Sequence, residues 1–363
     1  MFKRIIPFYL IISTVLCHAQ EAPVVVGSVS KAGTVDSKAL KGLNKYHRLV
    51  KIADSHGKYL GSLEVRGYAL RDVIDRFEVN KKDDGFDRPL DLIVTAKGKS
   101  GDSVLFSYGE VFFASDEGPM LVEATRMILP SRHEPLNAGK NDPTITLLDV
   151  NKRKTVNATS LSSCNACHES ANVPKIYFPK GWLLIAPRDR FGGRYVEGVT
   201  EISINQVGIK TVDTRYGGGR DSIIESPEIV GHDGKVHQFS LDDYKKLPRI
   251  STTDAGIGHG KGYRGTSTWE GVALKGLLQH ILPAGANPKK IYVLVAAADG
   301  YRSTFSGVEV FSGSNEKCVL LVDRKDGKPL GNGSGLYTIV QSTDFFVDRN
   351  VRLVKEIRIV IAE

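Results

Sequence analysis

The chain has 363 residues, 41% of them hydrophobic and 25% charged. That is the balance of a globular protein with buried cores, and the length allows about two domains. The formal net charge is +8, but acids and bases alternate along the chain and no basic run carries interleaved aromatics. This argues against a nucleic-acid partner and fits a solvated basic surface, an acidic protein partner or an anionic small substrate.

The N-terminus reads as an export signal. Lys3 and Arg4 precede the apolar stretch IIPFYLIISTVL, and Ala19 offers a small residue before a cut at Gln20. Residues 1–19 are therefore expected to be a signal peptide, and the remainder a periplasmic protein. The stretch has no Arg-Arg pair, which points to the general unfolded-export route. The bulky Leu16 argues against a lipid anchor on Cys17. No later stretch reaches the roughly 18 apolar residues of a spanning helix, so no integral membrane span is expected. Once Cys17 is removed, Cys164, Cys167 and Cys318 remain. Cys318, in EKCVLLV, reads as a small buried residue.

Self-comparison shows two copies in tandem. HGKYLGSLEVRGYALRDVI from His56 aligns with HGKGYRGTSTWEGVALKGLL from His259. DLIVTAKGKSGDSVLFSYGEVF aligns with KIYVLVAAADGYRSTFSGVEVF, and WLLIAPRDRFGGRYVEGVTEISI with YTIVQSTDFFVDRNVRLVKEIRI. The expected copies are residues 24–206 and 207–363. The first carries an extra segment of about 131–180. DLIVTAKGKSG, IYVLVAAADG, STFSGVEVF and VRLVKEIRIVI read as strands. GYALRDVIDRF and GVALKGLLQHI space their apolar residues as short amphipathic helices do, and Ser240 suits the N-terminus of another at LDDYKKL. The class expected from these patterns is α+β, rich in strands.

Two further features recur in both copies. His56-Gly57-Lys58 and His259-Gly260-Lys261 are each either a turn that the scaffold needs or a loop able to meet an anion. Glu110 and Glu309 read as capping or edge-strand carboxylates.

The extra segment holds SSCNACHES, with Cys164, Cys167 and His168 in a C-x-x-C-H pattern. Two thiols at this spacing can add to the two vinyl groups of a haem, and the next residue then supplies an imidazole to the iron. In an exported chain with so few cysteines the pattern points to covalent haem c. His133 is the first choice for a sixth ligand and Met127 the next, followed by Met120 or His56; an open sixth position also fits. A redox disulfide between Cys164 and Cys167, or a zinc site made by these cysteines with His168 and His133, are the other readings. The small polar flanks make SSCNACHES similar to the haem loop of c-type cytochromes. No methionine follows Met127, however, and Pro174 and Pro179 forbid a helix just after the motif.

GKVHQFSLDDYKKLP, TWEGVALKGLL, YVLVAAADGYRSTFS, LLVDRKDGKPL and DFFVDRNVRLVKEIRIV in the second copy resemble the sulfite-oxidase-type molybdopterin-binding domain. The first copy is similar through the same landmarks. The resemblance implies two tandem α+β domains, each with a twisted mixed sheet. It also implies a cysteine ligand to molybdenum between the L-P landmark and the W-x-G-V-x-L helix. That interval, RISTTDAGIGHGKGYRGTST, holds no cysteine, which argues against bound molybdopterin. The expected function is electron transfer through haem c to a redox partner protein in the periplasm. A molybdenum oxidoreductase with the haem as its electron exit, and a binding module with a C-x-x-C disulfide, are the alternatives.

Overall fold

Runs of β-branched and other apolar residues set the architecture. Leu92–Gly98 and Ile291–Ala297 are strands in the computed structural model, and the second is buried along its whole length, as a strand covered on both faces must be. The structure describes residues 21–53, 59–82, 85–129, 146–149, 154–157, 181–189, 193–207, 224–258, 260, 262–312, 318–331 and 335–362.

The two halves are wound alike. One sheet runs in the order Gly33–Thr34, Val24–Gly27, Val199–Gln206, Leu92–Gly98, Ser103–Ser107. Another runs Val236–His237, Glu228–Val230, Val354–Ile361, Ile291–Ala297, Arg302–Ser306. Each contains one parallel pair, joining Val25 to Ile202 and Ile229 to Ile357.

Each half also has a second sheet built on four antiparallel strands. Tyr46–Ala53, Tyr59–Ala69, Met120–Leu129 and Leu183–Ile185 lie side by side in the first half. Arg249–Gly258, Gly262–Ala273, Val319–Lys325 and Thr338–Gln341 do so in the second. The register shifts beside Gly67 and Gly271. A Cβ at either position would lie 2.2 Å from a carbonyl oxygen, of Leu121 or Leu321, so both glycines admit a close backbone approach.

The helices are single turns. Leu70–Asp75 and Leu274–Leu278 follow strands that end at Ala69 and Ala273, and each buries three residues. Leu241–Lys246 is capped by the Ser240 hydroxyl, which accepts from the Asp243 amide. STFSGVEVF departs from the strand expected of it. The strand stops at Ser306, whose hydroxyl accepts from Glu309 N while the Glu309 carboxylate accepts from Ser306 N. That capping box turns Gly307–Phe311 into a helix.

These observations correct the α+β expectation, and with it the sulfite-oxidase-like fold that the resemblance implied, although a sheet of each half is mixed. The protein is predominantly β. The apolar spacing at Leu70 and Leu274 does make helices, but each is a five- or six-residue turn at a strand end. Helices this short have no cooperative stability of their own and do not form a layer. The core belongs to the strands: Val94, Phe106, Leu121 and Ile202 in the first half, and Val293, Phe305, Leu321 and Ile357 in the second. Ile93, Leu105 and Tyr292 form an apolar contact between the halves. No helix among the described residues is long and apolar enough to cross a membrane.

Candidate functional site

Cys164, Cys167, His168 and His133 lie outside the described residues, as do His56, Lys58, His259 and Lys261. The segment that carries the cysteines leaves the strand Met120–Leu129. The chain then re-enters that sheet at Leu183, opposite Val122. In between, Thr146–Asp149 and Lys154–Asn157 form a hairpin that extends the same sheet, with Leu147 beside Met127. Met127 pairs with Leu63 on its other side. Met120 is fully buried in a cluster with Val50, Leu63 and Ile185, a core position. Trp182 packs half-buried against the first-half core.

The two His-Gly-Lys triplets fall at matching places. Ala53 pairs with Tyr59 and Gly258 with Gly262, described residues on either side of the two triplets in sequence. Gly260 and Gly262 have φ of +76° and +68°, the left-handed region that glycine enters without strain.

The hairpin Arg249–Gly258/Gly262–Ala273 also forms one wall of a polar cleft of about 230 Å³. Asp254 stands opposite Ser267 and Thr252 opposite Trp269, which puts Asp254, Ser267 and Trp269 on one face. Four cations line the cleft: Arg264, Lys325 and Arg352 from the second half and Arg88 from the first. Asp254, Asp299 and Asp348 are its acids. Arg88 lies 3.7 Å from the Asp348 carboxylate, with its guanidinium over the Tyr301 ring at 5.4 Å. Lys325 Nζ lies 5.0 Å from the centre of the Trp269 ring. Burial pushes the Asp254 carboxyl up, toward its neutral form. Cations therefore outnumber acids in the cleft by four to three.

The described residues do not fit a thiolate-bound molybdenum. Cys318 is the described cysteine, and it is 4% exposed in a cluster with Trp269, Leu320 and Val340. Burial pushes its thiol up, which keeps it protonated. Among the described residues, no group of three His, Cys, Asp or Glu side chains is placed to hold a metal ion.

The structure also assembles a cluster around Glu110 and Glu309 whose other members the sequence did not point to. Arg194 donates through Nε and Nη2 to Asp189 at 2.8 and 2.7 Å, and through both Nη atoms to Glu110. Arg349 donates through Nε and Nη2 to Asp344 at 2.5 and 2.6 Å, and through Nη2 to Glu309 at 2.7 Å. Each arginine crosses to the other half, Arg194 to Ser306 Oγ and Arg349 to Ser107 Oγ. Each guanidinium also covers a ring of its own half, Arg194 that of Phe106 at 4.4 Å and Arg349 that of Phe305 at 5.0 Å. Both arginines are 1% exposed. The cue lay in the alignment, where WLLIAPRDRFGGR over YTIVQSTDFFVDR stacks Asp189 on Asp344 and Arg194 on Arg349.

No family model matches the chain, and no curated protein matches it. Among solved structures, the sulfane dehydrogenase SoxCD from Paracoccus pantotrophus is 17% identical, with a TM-score of 0.29. The match covers 51% of this chain and 48% of that one, so the chain spans about half the length of that structure.

Proposed function

We propose that the protein is an exported electron-transfer protein carrying one covalent haem c, tethered through Cys164 and Cys167 with His168 as an axial ligand. The observation that carries this reading is the C-x-x-C-H pattern itself, set in the one long segment that the second copy lacks. The donor set fits the group: two thiols two residues apart can form two thioethers, and the adjacent imidazole is the right ligand type for iron. Bound there, a haem supplies transfer of one electron at a time. His133 is proposed as the sixth ligand, with Met127 as the second choice. The exchange partner is a redox protein outside the cytoplasm. Expression in a host that matures c-type haem tests this directly. The denatured chain should retain haem, with a mass increase of one porphyrin. An unmodified mass, or one lowered by two hydrogens, rejects the reading.

The cleft favours a second reading, a binding module. With four cations facing three carboxylates, the cleft would hold a small anion. Titration of the full chain with inorganic phosphate and with sulfate tests it, and absence of heat at millimolar anion removes it.

A further inference from the structure

The buried cluster between the halves is unbalanced in charge. It holds two guanidinium groups, Arg194 and Arg349, and four carboxylates, Glu110, Asp189, Glu309 and Asp344. Fully ionised, it has two negative charges in excess. All six side chains are buried or nearly so; Glu110 is the most open at 16% exposure. Excess charge in such a place is costly, and a carboxyl removes it by taking up a proton.

The geometry selects which carboxyls do so. Glu110 shares Arg194 with Asp189, and it faces a second carboxylate, Glu309, across the interface. Asp344 shares Arg349 with Glu309. Glu309 is the best supplied, since it accepts from Arg349, from the Ser107 hydroxyl at 2.7 Å and from the Ser306 amide at 2.8 Å.

We propose that this interface is a proton-operated latch, in which Glu110 and Asp344 take up protons on acidification and tighten the contact between the halves, and release them as the medium becomes neutral. The direction follows from the surroundings. Burial pushes the Glu110 carboxyl up to about 7, against the pull of Arg194 and with repulsion from Glu309 and Asp189. Burial pushes Asp344 up to about 6, against the pull of Arg349 and with repulsion from Glu309. Arg188 also faces Asp344 and is itself held by Asp116 at 2.7 Å. Burial raises Glu309 too, but Arg349 and the two serines outweigh it and hold that carboxyl below its ordinary range.

A carboxyl raised in the fold stabilises the fold below its unfolded value, and that stabilisation is lost as pH rises. The window is 4.5 to about 7 for Glu110 and 3.8 to about 6 for Asp344. Glu309 acts in the opposite sense, and its contribution is lost below that window. Between pH 5 and 7 the latch therefore weakens as pH rises.

Urea unfolding of the full chain across that range tests the proposal. The midpoint should fall as pH rises, with a slope worth about one to two protons. Glu110→Gln and Asp344→Asn should each remove about one proton of that slope, and the double variant should remove both. Folded variants that keep the wild-type slope overturn the proposal. If the variants do not fold, the infrared spectrum of the wild-type protein decides. A buried protonated carboxyl band should be present at pH 5 and lost by pH 7.5, and its absence at pH 5 overturns the latch.

Discussion

Arg349 donates a 2.8 Å hydrogen bond to Ser107 Oγ, 242 residues away in sequence. Arg194 makes the matching contact with Ser306 Oγ at 3.3 Å. Each serine caps a short helix of its own half, so each arginine holds the helix start of the other half. Gly109 makes room for this, because a Cβ there would lie 2.0 Å from Arg349 Cδ. Arg349→Ala should cost about 3–5 kcal/mol, since Asp344 and Glu309 stay buried without their cation. Arg349→Lys restores the charge but not the planar fork, and most of the loss should remain. Urea unfolding of the full chain measures both. A loss below about 1 kcal/mol for Arg349→Ala, the scale of an exposed pair, contradicts the role given to it.

The close backbone approaches at Gly67 and Gly271 make a second prediction. Alanine at either position meets a carbonyl oxygen and should destabilise the fold by about 1–3 kcal/mol. Gly331 has open space within 4 Å of its virtual Cβ, and Gly331→Ala should stay within about 0.5 kcal/mol of the parent. Thermal unfolding compares the three, and equal melting points would show that the strands part freely at the bulges.

Much of this strand framework was legible in the sequence. IYVLVAA, an unbroken apolar run, and LIVTAKG, which opens on three apolar residues and then alternates, became central strands. The expected class fails because an apolar spacing of three and four residues at GYALRDVIDRF and GVALKGLLQHI does not reveal how long a helix lasts. The strands run into these segments as far as Ala69 and Ala273, and only one helical turn is left. At STFSGVEVF the β-branched residues read as strand, yet Glu309 caps there, one of the two roles its sequence offered, and two side-chain hydrogen bonds outweigh propensity. Glu110 and Glu309 were visible as recurring carboxylates, but their arginines were not. A buried ion pair joins residues that are distant in sequence, and only the fold brings them together. The polar cleft leaves no sequence signal for the same reason, since Arg88 and Arg264 come from different halves.

The cleft makes a third prediction. Arg264→Ala should weaken phosphate binding about tenfold, as loss of one charge-assisted contact does. Asp254→Asn should strengthen it by removing a like charge from the anion's surroundings. Burial raises the Asp254 carboxyl, so wild-type binding should strengthen as pH falls into the carboxylate range. Isothermal titration follows all three, and indifference to Arg264 rejects the cleft as an anion site.

The haem ligands separate by chemistry. Replacing Cys164 and Cys167 together by serine should abolish covalent haem, because no thioether can form. His168→Ala should keep the covalent attachment while changing the absorption spectrum, because the tether remains and an axial ligand is lost. His133→Ala should change the spectrum in the same way if that side chain supplies the sixth position. An unchanged spectrum would transfer the assignment to Met127.

The absorption spectrum of the purified wild-type protein, oxidised and then reduced with dithionite, tests the central claim most directly. From a host competent in c-type haem maturation, the protein should be red, with an intense Soret band and sharp visible bands that appear on reduction. A colourless protein from that host contradicts the account.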